Sequence, residues 1–136
     1  QQNLLDLSAT QPDSIQPDLV PTTRVPDFPL GSHVAPLGLT FATGQKLGDG
    51  YADGAFIGLH GSWNRDPLSG YKVVFVPFLN GQPTGSMVDV LGGFLDTDLN
   101  ARGRPVGVAI ARDGALLVAD DVGNAVWRVS AATPAR

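Results

Sequence analysis

Residues 36–41 read PLGLTF and residues 105–110 read PVGVAI. Each hexapeptide opens on proline, carries glycine at its third position and alternates apolar with small side chains. That alternation is the period of a half-buried strand, and a leading proline suits the first residue of a strand. The parallel continues downstream. A Gly-terminated turn follows each hexapeptide, then a second apolar run, Ala55-Phe56-Ile57-Gly58 in one and Ala115-Leu116-Leu117-Val118 in the other. A polar Gly/Asn loop leads to a third run, Tyr71-Lys72-Val73-Val74 or Val126-Trp127-Arg128-Val129. The offset is 69 residues at the first match and 60 at the second, so the upstream copy holds the longer loops.

Read along the whole chain, the pattern predicts seven short strands, at 34–42, 55–60, 71–78, 87–91, 106–110, 115–119 and 125–129. The third, YKVVFVPF, is β-branched and aromatic almost throughout. Asn80-Gly81, Asp113-Gly114 and Gly123-Asn124 mark turns between them. Residues 1–30 form an irregular lead-in. Pro12, Pro17, Pro21, Pro26 and Pro29 recur every few residues, which excludes a helix and any central strand there. This stretch reads as a surface connection lying across other elements. Composition agrees with an all-β fold: 17 Gly and 11 Pro in 136 residues, with only 16% charged side chains, is the signature of many tight turns.

Repeated four-stranded units are the sequence sign of a β-propeller. The first copy supplies four strands and the second only three. A three-stranded last blade is what remains when a ring closes by borrowing a strand from its distant N-terminus. The expectation is the last one and three-quarter blades of a larger ring. One blade with its loops would span 31–99, and three strands of the final blade would span 100–136. Alone, such a chain exposes strand edges and apolar blade faces, so it needs the missing blades or copies of itself. The chain starts at Gln1 and its single methionine is Met87, which reads as a processed product or a fragment.

The remaining composition narrows the function classes. The formal net charge of −4 argues against a sequence-independent nucleic-acid binder. No apolar run approaches the roughly 20 residues of a membrane-spanning helix. With no cysteine, disulfides, thiolate metal sites and cysteine nucleophiles are all excluded.

Three clusters carry chemistry, at comparable places in the repeat. Gly31-Ser32-His33 precedes the first strand. His60-Gly61-Ser62-Trp63-Asn64-Arg65 leaves the second. Arg102-Gly103-Arg104-Pro105 precedes the second copy, whose second strand ends in Asp120-Asp121. On one propeller face these would bring His33, Trp63, Arg65, Arg102, Arg104 and Asp120 towards a common site. Arginine pairs recognise carboxylates and phosphates through paired hydrogen bonds, so Arg102 and Arg104 suit a polyanionic small molecule. The alternative is that both answer Asp96, Asp98 or Asp120 in ordinary ion pairs. Trp63 either stacks on a planar ligand or sugar, or fills a gap between blades. His33 and His60 lack metal-ligand spacing. The Asp120-Asp121-Val122-Gly123-Asn124 segment lacks the rhythm of a calcium loop and reads as a turn, so no metal-ligand set is expected. Ser62 lacks the Gly-x-Ser-x-Gly setting of a hydrolase nucleophile.

The runs HVAPLGLTF, FIGLHGSWNR, GYKVVFVPF, ARGRPVGVA and GALLVADDVGNAVWRV resemble the C-terminal part of the glucose/sorbosone dehydrogenase family, most closely its sorbosone branch. The resemblance covers about residues 19–130. It implies a six-bladed propeller, periplasmic or secreted, that binds pyrroloquinoline quinone (PQQ) and calcium. Such a protein oxidises an aldose, sorbosone or a related sugar aldehyde or alcohol by hydride transfer to PQQ, and passes electrons to an acceptor. It implies PQQ contacts at Arg102 and Arg104, at Arg65 with Trp63 or Asn64 nearby, and at Asp120. The family's catalytic base and most calcium ligands lie in earlier blades, so no catalytic residue is assigned and this chain alone is expected to be inactive. The other readings are a non-catalytic propeller module that binds a glycan or protein, and a short propeller assembled from three copies.

Overall fold

The structure is a computed structural model that describes residues 19–132. The reading of residues 1–18 as irregular lead-in lies outside the described residues. Among these the fold is all-β, with two single 3-10 turns as its only helical pieces. One of them, Val20–Thr22, falls inside the proline-rich stretch where no helix was expected. A single turn tolerates Pro21 near its start, because the first residues of a helical turn need no N–H partner.

The strands gather into two curled antiparallel sheets. The first contains β1 (Pro36–Phe41), β2 (Gly54–Leu59), β3 (Lys72–Leu79) and β5 (Val88–Leu91), in that spatial order. A two-residue strand missed by the sequence reading, β4 (Gln82–Pro83), folds back on the end of β3. Asn80 and Gly81 both take positive φ, 54° and 76°, the geometry of a tight hairpin turn. The second sheet is β6 (Pro105–Ile110), β7 (Leu116–Asp120) and β8 (Ala125–Val129). Both sheets open with an irregularity at the same point of the repeat, between Pro36 and Gly38 and between Pro105 and Val108.

Register refines the repeat. In the first sheet Leu39 pairs with Ile57, which pairs with Val74. In the second, Val108 pairs with Val118 and then Trp127. The offset stays 69 at the first strand but is 61 at the second, not the 60 read from sequence. A one-residue slip moves every side chain to the opposite face. Matching apolar letters could not see this, because the β6–β7 hairpin is tight, with Ala111 and Ala115 paired through their backbones, whereas the β1–β2 connection is long.

β2 is buried on both faces. Phe56 points between the sheets with Val73, Phe75, Leu116 and Val118, and the Tyr51 ring packs tilted against Phe56 at 5.6 Å and edge-on to Phe75 at 5.1 Å. Ile57 and Leu59 point the other way with Val34, Val74 and Val76, and Phe28 and Leu30 of the lead-in pack over them. The sheets meet where β1 crosses β6. A Cβ on Gly38 would fall 2.3 Å from the Val106 carbonyl oxygen, so only glycine permits this contact. Large apolar side chains remain exposed on β1 (Leu37, Leu39, Phe41) and β8 (Val126).

Candidate functional site

Arg104 ties the two sheets together. It lies just before β6, and its Nε donates to the His60 carbonyl at 2.9 Å. Nη2 donates to the carbonyls of Gly61 at 2.6 Å and Ser62 at 3.3 Å. The guanidinium also sits 5.1 Å over the Tyr71 ring, a favourable cation–π distance. It therefore pairs with none of the three aspartates offered as its ionic alternative. The Tyr71 hydroxyl in turn donates to the Ser62 carbonyl.

The HGSWNR loop is held at several further points. Ser62 is buried, and its N–H and Oγ both bond the backbone of Ser69, at 2.8 and 2.9 Å. Arg65 Nη1 donates to the Ser32 carbonyl at 3.1 Å and to the Ser32 hydroxyl. The Gly31-Ser32-His33 segment is thus drawn to the loop, although His33 itself is exposed at φ 61°. His60 Nε2 lies 3.1 Å from both carboxylate oxygens of Asp121, joining the loop after β2 to the loop after β7. On this fastened segment Trp63 stands 83% exposed, with Asn64 also exposed. Trp63 fills no gap within the described residues.

Arg102 takes a different course from Arg104. Its side chain is 73% exposed, and Nε reaches Asp96 only at 3.7 Å. Asp96 is occupied by its own turn, accepting the N–H groups of Asp98 and Asn100 at 2.9 and 2.8 Å. The Asn100 N–H bond, with those of Asp98 and the Asn100 side chain and lastly the Arg102 charge, holds its carboxyl below the ordinary value against an opposing desolvation effect. Beside Arg102 a hollow of about 230 Å³ runs past Gly92, Gly93, Phe94 and Trp127.

Asp120, at the end of β7, is 4% exposed. Oδ1 accepts the backbone N–H of Arg104 at 2.8 Å and of Gly123 at 2.7 Å, and Oδ2 accepts the Trp127 indole N–H at 2.9 Å. Burial by itself pushes this carboxyl up. Hydrogen bonds from Trp127, Gly123, Arg104 and Val122 overcome that and hold it below the ordinary range. The Gly123 bond closes the turn expected for this segment. Among the described residues no group of three or more His, Asp or Glu side chains is placed to hold a metal ion. No helix there is long and apolar enough to cross a membrane.

Two members of this arrangement escaped the sequence reading: Tyr71, which looked like an ordinary strand residue, and the backbone carbonyls of 60–62; Ser32 stood in the Gly31-Ser32-His33 cluster but had no role of its own there. Carbonyls leave no mark in composition. The one available signal was Gly70 directly ahead of Tyr71, a few residues after a glycine-containing loop.

A sequence profile described as TrAA12-like matches residues 12–132. The chain belongs to the TrAA12-like family. This TrAA12-like chain is 39% identical over 103 residues to an uncharacterized protein of Borreliella burgdorferi, covering 75% of the chain and 27% of that protein. It is 44% identical over 52 residues to a pyrroloquinoline quinone-dependent pyranose dehydrogenase of Coprinopsis cinerea, covering 38% of the chain and 6% of the enzyme. Among solved structures, the holo form of the PQQ domain of the Coprinopsis cinerea pyranose dehydrogenase superposes with TM-score 0.52 at 34% identity, over 69% of this chain and 26% of that one. The calcium structure of the Trichoderma reesei Carbohydrate-Active Enzymes Family AA12 protein superposes with TM-score 0.66 at 26% identity, over 85% and 29%. The chain therefore spans under a third of the relatives it matches.

Proposed function

We propose that this chain is the C-terminal part of a PQQ-dependent sugar oxidoreductase that acts on an aldose, sorbosone or a related sugar aldehyde or alcohol. Its two sheets, the first within 31–99 and the second from residue 100 to the end of β8, are the last one and three-quarter blades of a six-bladed ring. The open edge of β8 and the exposed apolar side chains of β1 and β8 are covered by the missing blades or by further copies. The protein acts in the periplasm or outside the cell, and its electrons leave to an external acceptor.

The observation that carries this reading is the Arg104 clamp. It draws the RGR and HGSWNR segments together across two sheets, in a chain similar to a solved PQQ domain. The donor chemistry fits the group. PQQ carries carboxylates, and Arg102 presents an exposed guanidinium engaged only by a distant aspartate; arginine forks bind carboxylates in pairs. When bound, PQQ supplies a quinone that accepts two electrons from the sugar. Arg102 binds a carboxylate of the cofactor. Arg104 holds the HGSWNR loop through Nε and Nη2, and its Nη1 remains for the ligand. Arg65, Trp63 and Asn64 border the same face, and Asp120 supports it from beneath. Calcium is held by residues outside this chain.

The test is reconstitution of the full-length apo-protein with PQQ and calcium, followed by dye reduction with a panel of sugars. Saturable PQQ uptake and sugar-dependent dye reduction, both weakened in Arg102→Ala, are the expected results. Sugar binding with no PQQ uptake would overturn this reading in favour of a glycan-binding module.

A further inference from the structure

Asp120 shows a bonding pattern that anion binding by arginines does not itself require. Its buried carboxylate meets no cation among the described residues. Instead it gathers N–H donors from three separate segments: Arg104 ahead of β6, Gly123 in the β7–β8 turn, and Trp127 on β8. Gly103 completes the enclosure, since a Cβ there would fall 2.2 Å from Oδ2 and 2.6 Å from the Phe94 ring. The RGR peptide therefore lies directly on the carboxylate, and any larger residue at 103 would lift it off. Phe94, in edge contact with Trp127 at 6.1 Å, closes the other side, and its carbonyl accepts the Arg102 N–H at 2.8 Å.

Arg102 is thus an exposed side chain on a backbone held at both ends. Its peptide is held at one end by Phe94 and at the other by Asp120 through Arg104, while its side chain stays 73% exposed. A long cationic side chain on a loose loop would lose much of its binding energy to ordering that loop. Here the ordering is already done by the protein.

From this geometry we infer that Asp120 is a positioning residue for the anion-binding arginines, fixing the 102–104 backbone from which Arg102 reaches its ligand. It does so without touching the ligand. This rests on the proposed PQQ site and adds to it the residue that sets the aim of Arg102. The nearest general parallel is the outer-shell partner of a metal ligand, whose loss weakens binding by about tenfold or more.

The test uses the full-length protein and PQQ itself. Affinity is measured by fluorescence titration for wild type, Asp120→Ala, Arg102→Ala and the double variant, with circular dichroism as the check on folding. Asp120→Ala is expected to weaken PQQ binding about tenfold and to add much less once Arg102 is alanine, where only the Arg104 contact is left to disturb. Asp120→Asn, whose carbonyl can still accept the Arg104 N–H, is expected to lose less, and it carries the test if the alanine variant fails to fold. Unchanged affinity in a folded Asp120 variant would overturn the inference, as would the same tenfold loss in the Arg102→Ala background, which would mark a general structural role. Absence of PQQ uptake by wild type would overturn the cofactor reading and this inference together. Wild-type uptake with an indifferent Asp120 variant would overturn the inference alone.

Discussion

Replacing Asp120 by asparagine changes one atom of a buried acceptor and should set two donors against each other. Oδ1 serves the N–H groups of Arg104 and Gly123 at 2.8 and 2.7 Å, and Oδ2 serves the Trp127 indole at 2.9 Å. The asparagine oxygen must stay on the two-donor side, which turns its NH2 towards the indole N–H. One charge-assisted bond is lost, worth about 1.5–3 kcal/mol. An unsatisfied indole adds a penalty near the lower end of about 1–3 kcal/mol, because Trp127 is 45% exposed. The expected destabilisation of Asp120→Asn is about 3 kcal/mol. Trp127→Phe removes the same bond but opposes nothing, and should lose about 2 kcal/mol. In the double variant no indole faces the amide, so the total should be about 3 kcal/mol rather than 5, a coupling near 2 kcal/mol. Denaturant titration of the four proteins measures it. Losses that add to within about 0.5 kcal/mol would refute the pairing of Asp120 with Trp127 as the source of the effect.

Four further outcomes rest on contacts already described. Asp120 has its carboxyl pKa lowered by folding, so its contribution to stability is complete above the ordinary carboxylate pKa of about 3.9 and drains away as pH falls through the lower folded value; acid titration of wild type against Asp120→Asn should show the difference between them shrinking below pH 4 or so. Gly103→Ala places a methyl 2.2 Å from Oδ2 and 2.6 Å from Phe94, and should destabilise by about 2–4 kcal/mol in thermal or urea unfolding, as overpacked sites with a displaced buried polar group do. Trp63→Ala should leave stability within about 0.5 kcal/mol, since the side chain is 83% exposed, while lowering affinity for PQQ or sugar; Arg104→Ala should do the reverse in emphasis, destabilising by about 2–4 kcal/mol because the 60–62 carbonyls lose their donor.

How much of this was legible in the sequence depended on the range of the interactions. Strand positions were accessible because alternation and turn dipeptides are local; Ala125–Val129 is found where its pattern places it, and the other boundaries shift by a residue or two. β4 was missed because two residues carry no period. Register was not accessible, since it depends on how long loops close, and so the second-strand offset came out one residue short. The site shows the same division. That Arg102 and Arg104 differ in fate follows from backbone direction ahead of β6 and from carbonyls 42 to 44 residues away, neither of which spacing encodes. The turn at Asp120 was legible because Asp–x–x–Gly is a local pattern, but its indole partner, seven residues on across a hairpin, was not.

The divergence of the two arginines alters what an Arg-Gly-Arg motif implies. Two residues apart in a regular strand, both side chains would share one face and form a two-pronged anion site. Here the motif precedes β6, and Asp120 takes the Arg104 N–H where a ladder partner would otherwise stand. Freed from the strand period, Arg104 turns to the protein's own carbonyls and Arg102 to solvent. Arg104 then holds the loop after β2, and Arg102 is left exposed on the face where the ligand is proposed to bind. Lysine would be a poor replacement for either, but for different reasons. At 104 a single ammonium cannot span carbonyls of residues 60, 61 and 62 while lying over Tyr71. At 102 it would keep the charge and lose only the paired hydrogen bonds to a carboxylate. Lysine at 104 should therefore register first as lost stability, and lysine at 102 as lost affinity in a protein that folds as before.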